Sequence, residues 1–461
     1  MNSAMFAVFL ETLGIVGALL VLGTVLRAKV GLFQELFFPA CVIGGFVGLL
    51  LGPQGFGIIS LSEDIMTTAS SMPGKLFGIV IASMPMCAQK MKKGELRQRL
   101  DAVNIGIIIT LVAAIQVAIG FFTNVLVTAT GGKIYPGYGT EMFMGFCGGH
   151  GLSAVVGMMF DSQGVDYGET ATGVALTFAT IGMIGGIVIG ITILNRKARK
   201  GETNYIKDPA DLPIEMRTGV ISNVDEQPSA GRQTTAGGSI DTLGLHFAYI
   251  AMDVGIGYLI YNLIVKLGIP FLKDMDAWLY MMFAMYPLWA LTRKLGCDKY
   301  FSPEIKNKIQ GATTDFIITA AIMSMPIAVV LEYWKPILIS TVLGFLLTVP
   351  VILFLNKRIL QEDWVEKSMA PIGMMCGDFI TGVLLTRMAD PELKSNALSD
   401  FSIAYEINTV YCVSMLAVIY PYVVNKGALS ALYLALIQIA ILAVVTFVFA
   451  RISKSRNQKG S

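Results

Sequence analysis

The sequence runs to 461 residues, 54% of them hydrophobic and only 14% charged, with a formal net charge of +2. Soluble globular chains carry about 25% charged residues, so the composition excludes an ordinary soluble domain and indicates a polytopic membrane protein. The basic residues cluster between apolar runs, as in loops joining membrane helices, and no nucleic-acid partner is expected.

In chain order, eleven segments have the apolar length for a crossing helix, which needs about 20 residues. They lie near residues 6–26, 32–52, 72–89, 103–128, 170–194, 243–265, 275–292, 312–330, 336–355, 404–424 and 428–450. The first has no basic residue ahead of it and no A-x-A site before Arg27, so it reads as a retained helix rather than a signal peptide. Two more apolar stretches, 142–160 and 368–388, are glycine-rich and shorter than the best spans. The six cysteines (Cys41, Cys87, Cys147, Cys297, Cys376, Cys412) are scattered without a CxxC pattern, and free, mostly buried thiols are expected.

Lys and Arg favour cytoplasmic loops, and the clearest basic loops are 89–99, 195–200, 293–308 and 451–459. With 89–99 and 195–200 both inside, residues 142–160 must enter and return on the outer side. The same parity makes 368–388 return to the inner side. Five of the 34 basic residues then fall outside (Lys133, Lys266, Lys273, Lys335, Lys426), Lys75 sits at a helix end, and the rest fall inside. This layout puts the N-terminus outside and the C-terminus in the cytoplasm.

A faint internal repeat agrees with it. "SMP" recurs at Ser83–Pro85 and Ser324–Pro326, and "GFCGGHGLSAV" from Gly145 aligns without gaps with "GMMCGDFITGV" from Gly373. Gly149 pairs with Gly377, His150 with Asp378 and Ser153 with Thr381. The expected fold is an all-α polytopic membrane protein of two inverted repeats, each with five transmembrane helices and one re-entrant hairpin. The first repeat covers 1–194, a polar cytoplasmic linker 195–241, the second repeat 242–424, and an added helix and tail 425–461.

Non-helical backbone at membrane depth persists only where protein or a water-filled cavity satisfies it. Glycines allow sharp turns and close backbone approach. Half-helix N-termini attract anions while freed carbonyls attract cations. The two glycine-rich stretches are therefore the candidate substrate site, comprising Gly148, Gly149, His150, Gly151, Ser153, Gly377, Asp378 and Thr381. Ser83 and Ser324 precede prolines that free carbonyls one turn earlier, and with Asp378 they are candidate sodium ligands. Each has a plainer reading: His150 as a hydrogen-bonding strut, Asp378 as an N-cap, Ser153 and Thr381 as packing groups, and the serines as companions of proline kinks. His246 is expected at the interface, and Asp253 lies deep in its helix without an assigned role.

"GGHG" followed by a hydroxyl residue and Ala (Gly148–Ala154) resembles the first pore-loop motif of the bacterial sodium/glutamate symporter family. "FFPACVIGG" (Phe37–Gly45) resembles its second-helix I-P-x-P-V-x-G-G pattern, and "TFATIGMIGGIVIG" (Thr177–Gly190) its glycine-rich helix. The resemblance implies a homodimer, a scaffold domain, a moving core domain holding both hairpins, and elevator-type secondary transport. It also implies sodium as coupling ion and glutamate or a related small carboxylate as substrate. The second hairpin departs from the family's Gly-Ala-Thr-Pro-Thr-rich tract, with "CGDFITGVLLTRM" at Cys376–Met388. Asp378 there would repel an anionic substrate unless a cation lay between them.

The leading expectation is a sodium-coupled symporter of the inner (cytoplasmic) membrane. The alternatives are a re-entrant-loop channel, or the same fold with another substrate or proton coupling. No Walker loop points to ATP-driven transport. A membrane-embedded enzyme is not expected, since no zinc or nucleophile-elbow motif accompanies His150 and Asp378.

Overall fold

The computed structural model describes residues 3–35, 38–87, 100–205, 215, 218–236, 238–269, 272–274, 277–360, 362–390 and 394–460. Among them every regular element is helical. Seven helical segments are long and apolar enough to cross a membrane, one of them 57 residues long. Their outward faces are apolar, with Leu259, Leu263, Ile441, Val444 and Phe447 all more than half exposed. That is the build of a membrane protein, since water would penalise such faces and hydrocarbon does not.

The chain divides into two compact units that cut across its sequential order: Met1–Lys90, Gly157–Glu169 and Ile214–Pro326 in the first, and Met91–Val156, Thr170–Pro213 and Ile327–Ser461 in the second. Each draws helices from both halves of the sequence.

The first unit holds α1 (Ser3–Lys29), α2 (Gly31–Glu35), α3 (Ala40–Leu51), α4 (Glu63–Ser83), α9 (Thr242–Leu267), α10 (Ala277–Lys294) and α11 (Pro303–Met323). The segment expected as one helix at 32–52 is two, with Pro39 as the N-cap of α3. The helix expected at 72–89 begins nine residues earlier, where the Ser62 side chain accepts from Ile65 N–H, and it ends at Ser83. Likewise 312–330 is cut at Ser324–Pro326, and α11 starts at Pro303. Helices approach through small residues, as in lipid-embedded packing: a Cβ on Gly23 would stand 2.1 Å from Ala40 O, and one on Gly44 2.3 Å from Leu19 O. His246 is fully buried rather than interfacial. Its Nδ1 lies 2.7 Å from Thr242 O, and its Nε2 accepts from Ser302 N–H at 2.7 Å, tying α9 to the start of α11. Asp253 is also fully buried, with neither carboxylate oxygen hydrogen-bonded among the described residues.

The second unit is built round α5 (Leu100–Ala129), whose apolar window is 89% buried. Around it lie α6 (Glu141–Ser153), α8 (Gly168–Arg199), α12 (Ile327–Glu332), α13 (Trp334–Ile359), α14 (Glu366–Cys376), α15 (Phe379–Ala389) and α16 (Ala397–Gly460), while α7 (Val156–Asp161) straddles the unit boundary. The helices expected at 404–424 and 428–450 are two arms of α16, separated by non-helical Gly427 (φ 80°). Tyr411 donates to Gln438 Oε1 at 3.0 Å although the two are 27 residues apart, about 40 Å along a straight helix. The arms therefore fold back on each other, and both reach α5, through Asn104–Ser453 and Thr110–Asn408.

Polar contacts in this unit lie along α5 and at both of its ends. At its N-terminal end Lys367 lies 2.6 Å from Asp101 and 3.4 Å from Asp400. Nearby, Asn204 of the linker donates to Asp363 and Glu366. At the other end Asn124 binds the carbonyls of Tyr135, Pro136 and Tyr138, Thr140 donates to Tyr420 Oη, and Lys133 pairs with Glu332. The basic loop 89–99 and linker residues 206–214 lie outside the described residues.

Lys367 is 7% exposed at its side chain, as is Asp400. Removing one member of a buried ion group leaves uncompensated charge at a cost of about 3–5 kcal/mol. Lys367→Met is expected to lower the apparent unfolding temperature by several degrees at pH 7. The deficit should shrink when Asp101 and Asp400 are both replaced by Asn in the same variant, because neither then needs a cation. Thermal scans of the single and triple variants check it, and an unchanged deficit would assign the lysine a packing role only.

Candidate functional site

Both glycine-rich stretches are helix–break–helix hairpins. Gly145 and Ser153 are eight residues apart, about 12 Å along a straight helix. Yet Ser153 Oγ donates to Ala175 O at 3.0 Å, and a Cβ on Gly145 would stand 2.8 Å from that same oxygen. The chain doubles back at Gly149, with φ 58° and ψ −158°. In the second hairpin a Cβ on Gly373 would lie 2.6 Å from Thr381 O, and one on Gly382 2.6 Å from Ala370 O, so α14 and α15 pack backbone to backbone. The break falls at Gly377–Asp378.

The hairpins start from opposite ends of α5 and their tips touch. A Cβ on Gly149 would stand 2.8 Å from Asp378 Cβ, 3.0 Å from Gly377 O and 3.4 Å from Asp378 Oδ2. Only glycine accommodates that approach together with the left-handed φ. Asp378 is the N-cap of α15, its Oδ1 accepting from Thr381 N–H at 2.8 Å. Helix α8 reaches the same place: a Cβ on Gly182 would stand 2.2 Å from Cys376 O.

His150 follows the first break, 4% exposed, with Nε2 3.1 Å from Thr180 Oγ1. The Thr180 hydroxyl donates its single proton to Leu176 O, so it accepts from His150 Nε2–H. On this network the neutral ring carries its remaining acceptor at Nδ1. Of the other expected site residues, Gly148 lies against Leu152 and Gly151 is half-buried in the last turn of α6. Ser153 is fully buried and spent on Ala175. Thr381 is buried beneath the Asp378 cap.

The expected sodium set is divided, with Ser83 and Ser324 in the first unit and Asp378 in the second. Each serine hydroxyl bonds a carbonyl of its own helix, Ser83 to Val80 and Ser324 to Ala320. The carbonyls that Pro85 and Pro326 leave are taken by tighter turns, from Met84 N–H to Ile81 O and Met325 N–H to Ile322 O. Both breaks thus have the form of proline-terminated helices with a serine companion.

Sequence reasoning missed the groups that brace the tips. Gln116 of α5, fully buried, donates from Nε2 to Met375 O at 2.7 Å and to Thr348 Oγ1 at 3.0 Å. Its Oε1 has no hydrogen-bond partner among the described residues. Asn408 of α16 spans Thr110 and Cys147 Sγ. The available signal was an isolated amide inside an apolar run, "LVAAIQVAIG", which in a membrane segment marks function or a partner.

No family model matches the chain, and no curated protein matches it in sequence.

Chemically, the tips bring the Asp378 carboxylate and the Gly377 carbonyl against Gly149, with the His150 imidazole on the next residue. Gly149→Ala should lower thermal stability more than Gly131→Ala does. Gly131 also has a positive φ (71°) but nothing near its missing Cβ. Equal losses in thermal scans would mean that backbone strain alone is measured and that the tip contact contributes nothing.

Proposed function

We propose that this chain is a secondary active transporter that moves glutamate, or a related small carboxylate or amino acid, with sodium across the cytoplasmic membrane. The observation that carries the reading is the contact of two helix breaks, Gly149 with Gly377–Asp378, from hairpins that start at opposite ends of one buried helix. Broken segments in matching positions of two halves are the usual pointer to a transporter's midplane site.

In this reading the two halves are inverted repeats and both stretches are re-entrant hairpins, one entering from outside and one from the cytoplasm. That both ends of this unit meet a membrane surface is supported by its polar contacts, and the choice of sides rests on the basic-loop pattern. Lys367, Asp101, Asp400 and Asp363 meet at the end read as cytoplasmic, while Lys133 and Glu332 meet at the end read as outer. The N-terminus then lies outside and the C-terminus inside. The unit holding both hairpin tips is the moving element of an elevator, the other is the scaffold, and the protein works as a homodimer, in keeping with the sodium/glutamate symporter resemblance at Gly148–Ala154.

Substrate binds at the tips. The sodium ion enters first and offsets the Asp378 charge, and the half-helix N–H groups then receive a substrate carboxylate. His150, holding Thr180 through Nε2–H, offers Nδ1 as an acceptor for an ammonium group.

Glutamate or aspartate with sodium should raise the unfolding temperature of the purified protein, and the same ligands with choline should not, because a ligand of the folded state stabilises by mass action. Asp378→Asn should weaken the sodium dependence of this shift more than His150→Ala does. A shift of the same size in sodium and choline between pH 6 and 8 would sink sodium coupling, and none with any acidic amino acid or dicarboxylate would sink the substrate class.

A further inference from the structure

We propose that a basic cleft at the C-terminal end of α10, in the first unit, binds a phosphate-bearing anion. The cavity measures about 880 Å³ and is lined by Arg232, Arg293, Lys294, Lys299 and a single acid, Asp298, over an aromatic floor. Its size falls in the range of small-ligand sites, about 300–1,000 Å³.

The floor is built rigidly. Trp289 and Phe301 are buried and meet edge to face at 5.8 Å, and Tyr249 tilts against Phe301 at 4.6 Å. His246 packs edge-on to the same ring and fixes the next residue through Ser302 N–H. Helix ends often carry cations that complement the helix dipole, and that alone would account for Arg293 and Lys294. It does not account for Arg232, from the far end of the linker, or for Lys299, from the loop before α11. Two separate segments, the linker and the 293–308 stretch, deliver charge to one cavity.

Among the described residues none of the four cations has an ion-pair partner. Glu304 also senses the charge of Arg232, and its carboxylate accepts from the Ser302 hydroxyl. Four clustered cations without direct ion pairs repel one another and focus an anion-attracting field. Guanidinium and ammonium groups together recognise phosphate oxygens, the former in bidentate fashion. With α10 read as a crossing helix that ends at Arg293 and Lys294, the cleft falls at the depth of phospholipid headgroups. A soluble phosphate compound offers the same chemistry, and the test separates the two sources.

The full chain, purified in detergent, is titrated with dioleoylphosphatidylglycerol, with dioleoylphosphatidylcholine and, in a separate arm, with inorganic pyrophosphate at matched ionic strength. Thermal stability is the readout. Phosphatidylglycerol should stabilise and phosphatidylcholine should not. The R232Q/R293Q/K294Q variant should lose about fivefold in affinity per charge, roughly a hundredfold in all. A control variant, R196Q/R199Q/K200Q at the exposed end of α8, should stay within about twofold of the parent. Lys299→Gln alone, an exposed change, should lose about fivefold and serves if the triple variant folds poorly. Stabilisation by pyrophosphate that is lost in the cleft variant would identify a soluble phosphate ligand, and stabilisation by lipid only would identify a headgroup. Equal losses in the cleft and control variants, or no stabilisation in either arm, would overturn the proposal.

Discussion

A helix that breaks inside a dry interior strips N–H and C=O groups of their partners, and each orphan costs several kcal/mol where no water can reach it. The second hairpin meets this cost group by group. Asp378 takes Thr381 N–H at the start of α15, and Gln116 supplies a donor to Met375 O at the end of α14. The helix that delivers Gln116 must therefore be both deeply buried and polar at chosen points. That describes α5, with Asn104, Thr110, Gln116, Thr123 and Asn124 along its length, every one buried and hydrogen-bonded.

The same constraint explains where glycine is concentrated. A tip braced from three sides leaves no room for side chains between backbones. Gly149 meets Asp378, and Gly182 of α8 meets the Cys376 carbonyl. Close approach replaces hydrophobic driving force, which is weak between helices whose alternative surroundings are equally apolar. The interior of the second unit sets isolated polar groups and glycines within an apolar packing, while the α16 faces turned outward carry Ile441, Val444 and Phe447.

How far the sequence reveals this follows from what each signal measures. Glycine density marked the two stretches in which helices break, and Gly149 and Gly377, paired by the faint repeat, lie at or beside those breaks. Gly427 falls between the two arms expected in the last helices. Apolar content was a poorer guide to helix ends. It missed the start of α4, because "EDIMTTASS" is polar and is helical through its Ser62 cap and its packing. It also ran through Ser324–Pro326, since apolar runs do not register a hydrogen bond that proline removes. Gln116, Thr180 and Asn408 were invisible as a set because they come together only in three dimensions, from three helices.

The two "SMP" breaks carry the argument one step further. Of the three passages from the first unit into the second, those after Lys90 and Pro326 lie at or within a few residues of an "SMP", while the one after Glu169 does not. At both, the last carbonyls are satisfied locally, by the serine hydroxyl and by a tighter turn from the following methionine N–H. A helix finished in this way asks nothing of the unit its chain enters next. The serines that looked like ion ligands in sequence thus have a structural reason to recur: they close the hydrogen-bond accounts of one unit before the chain begins another.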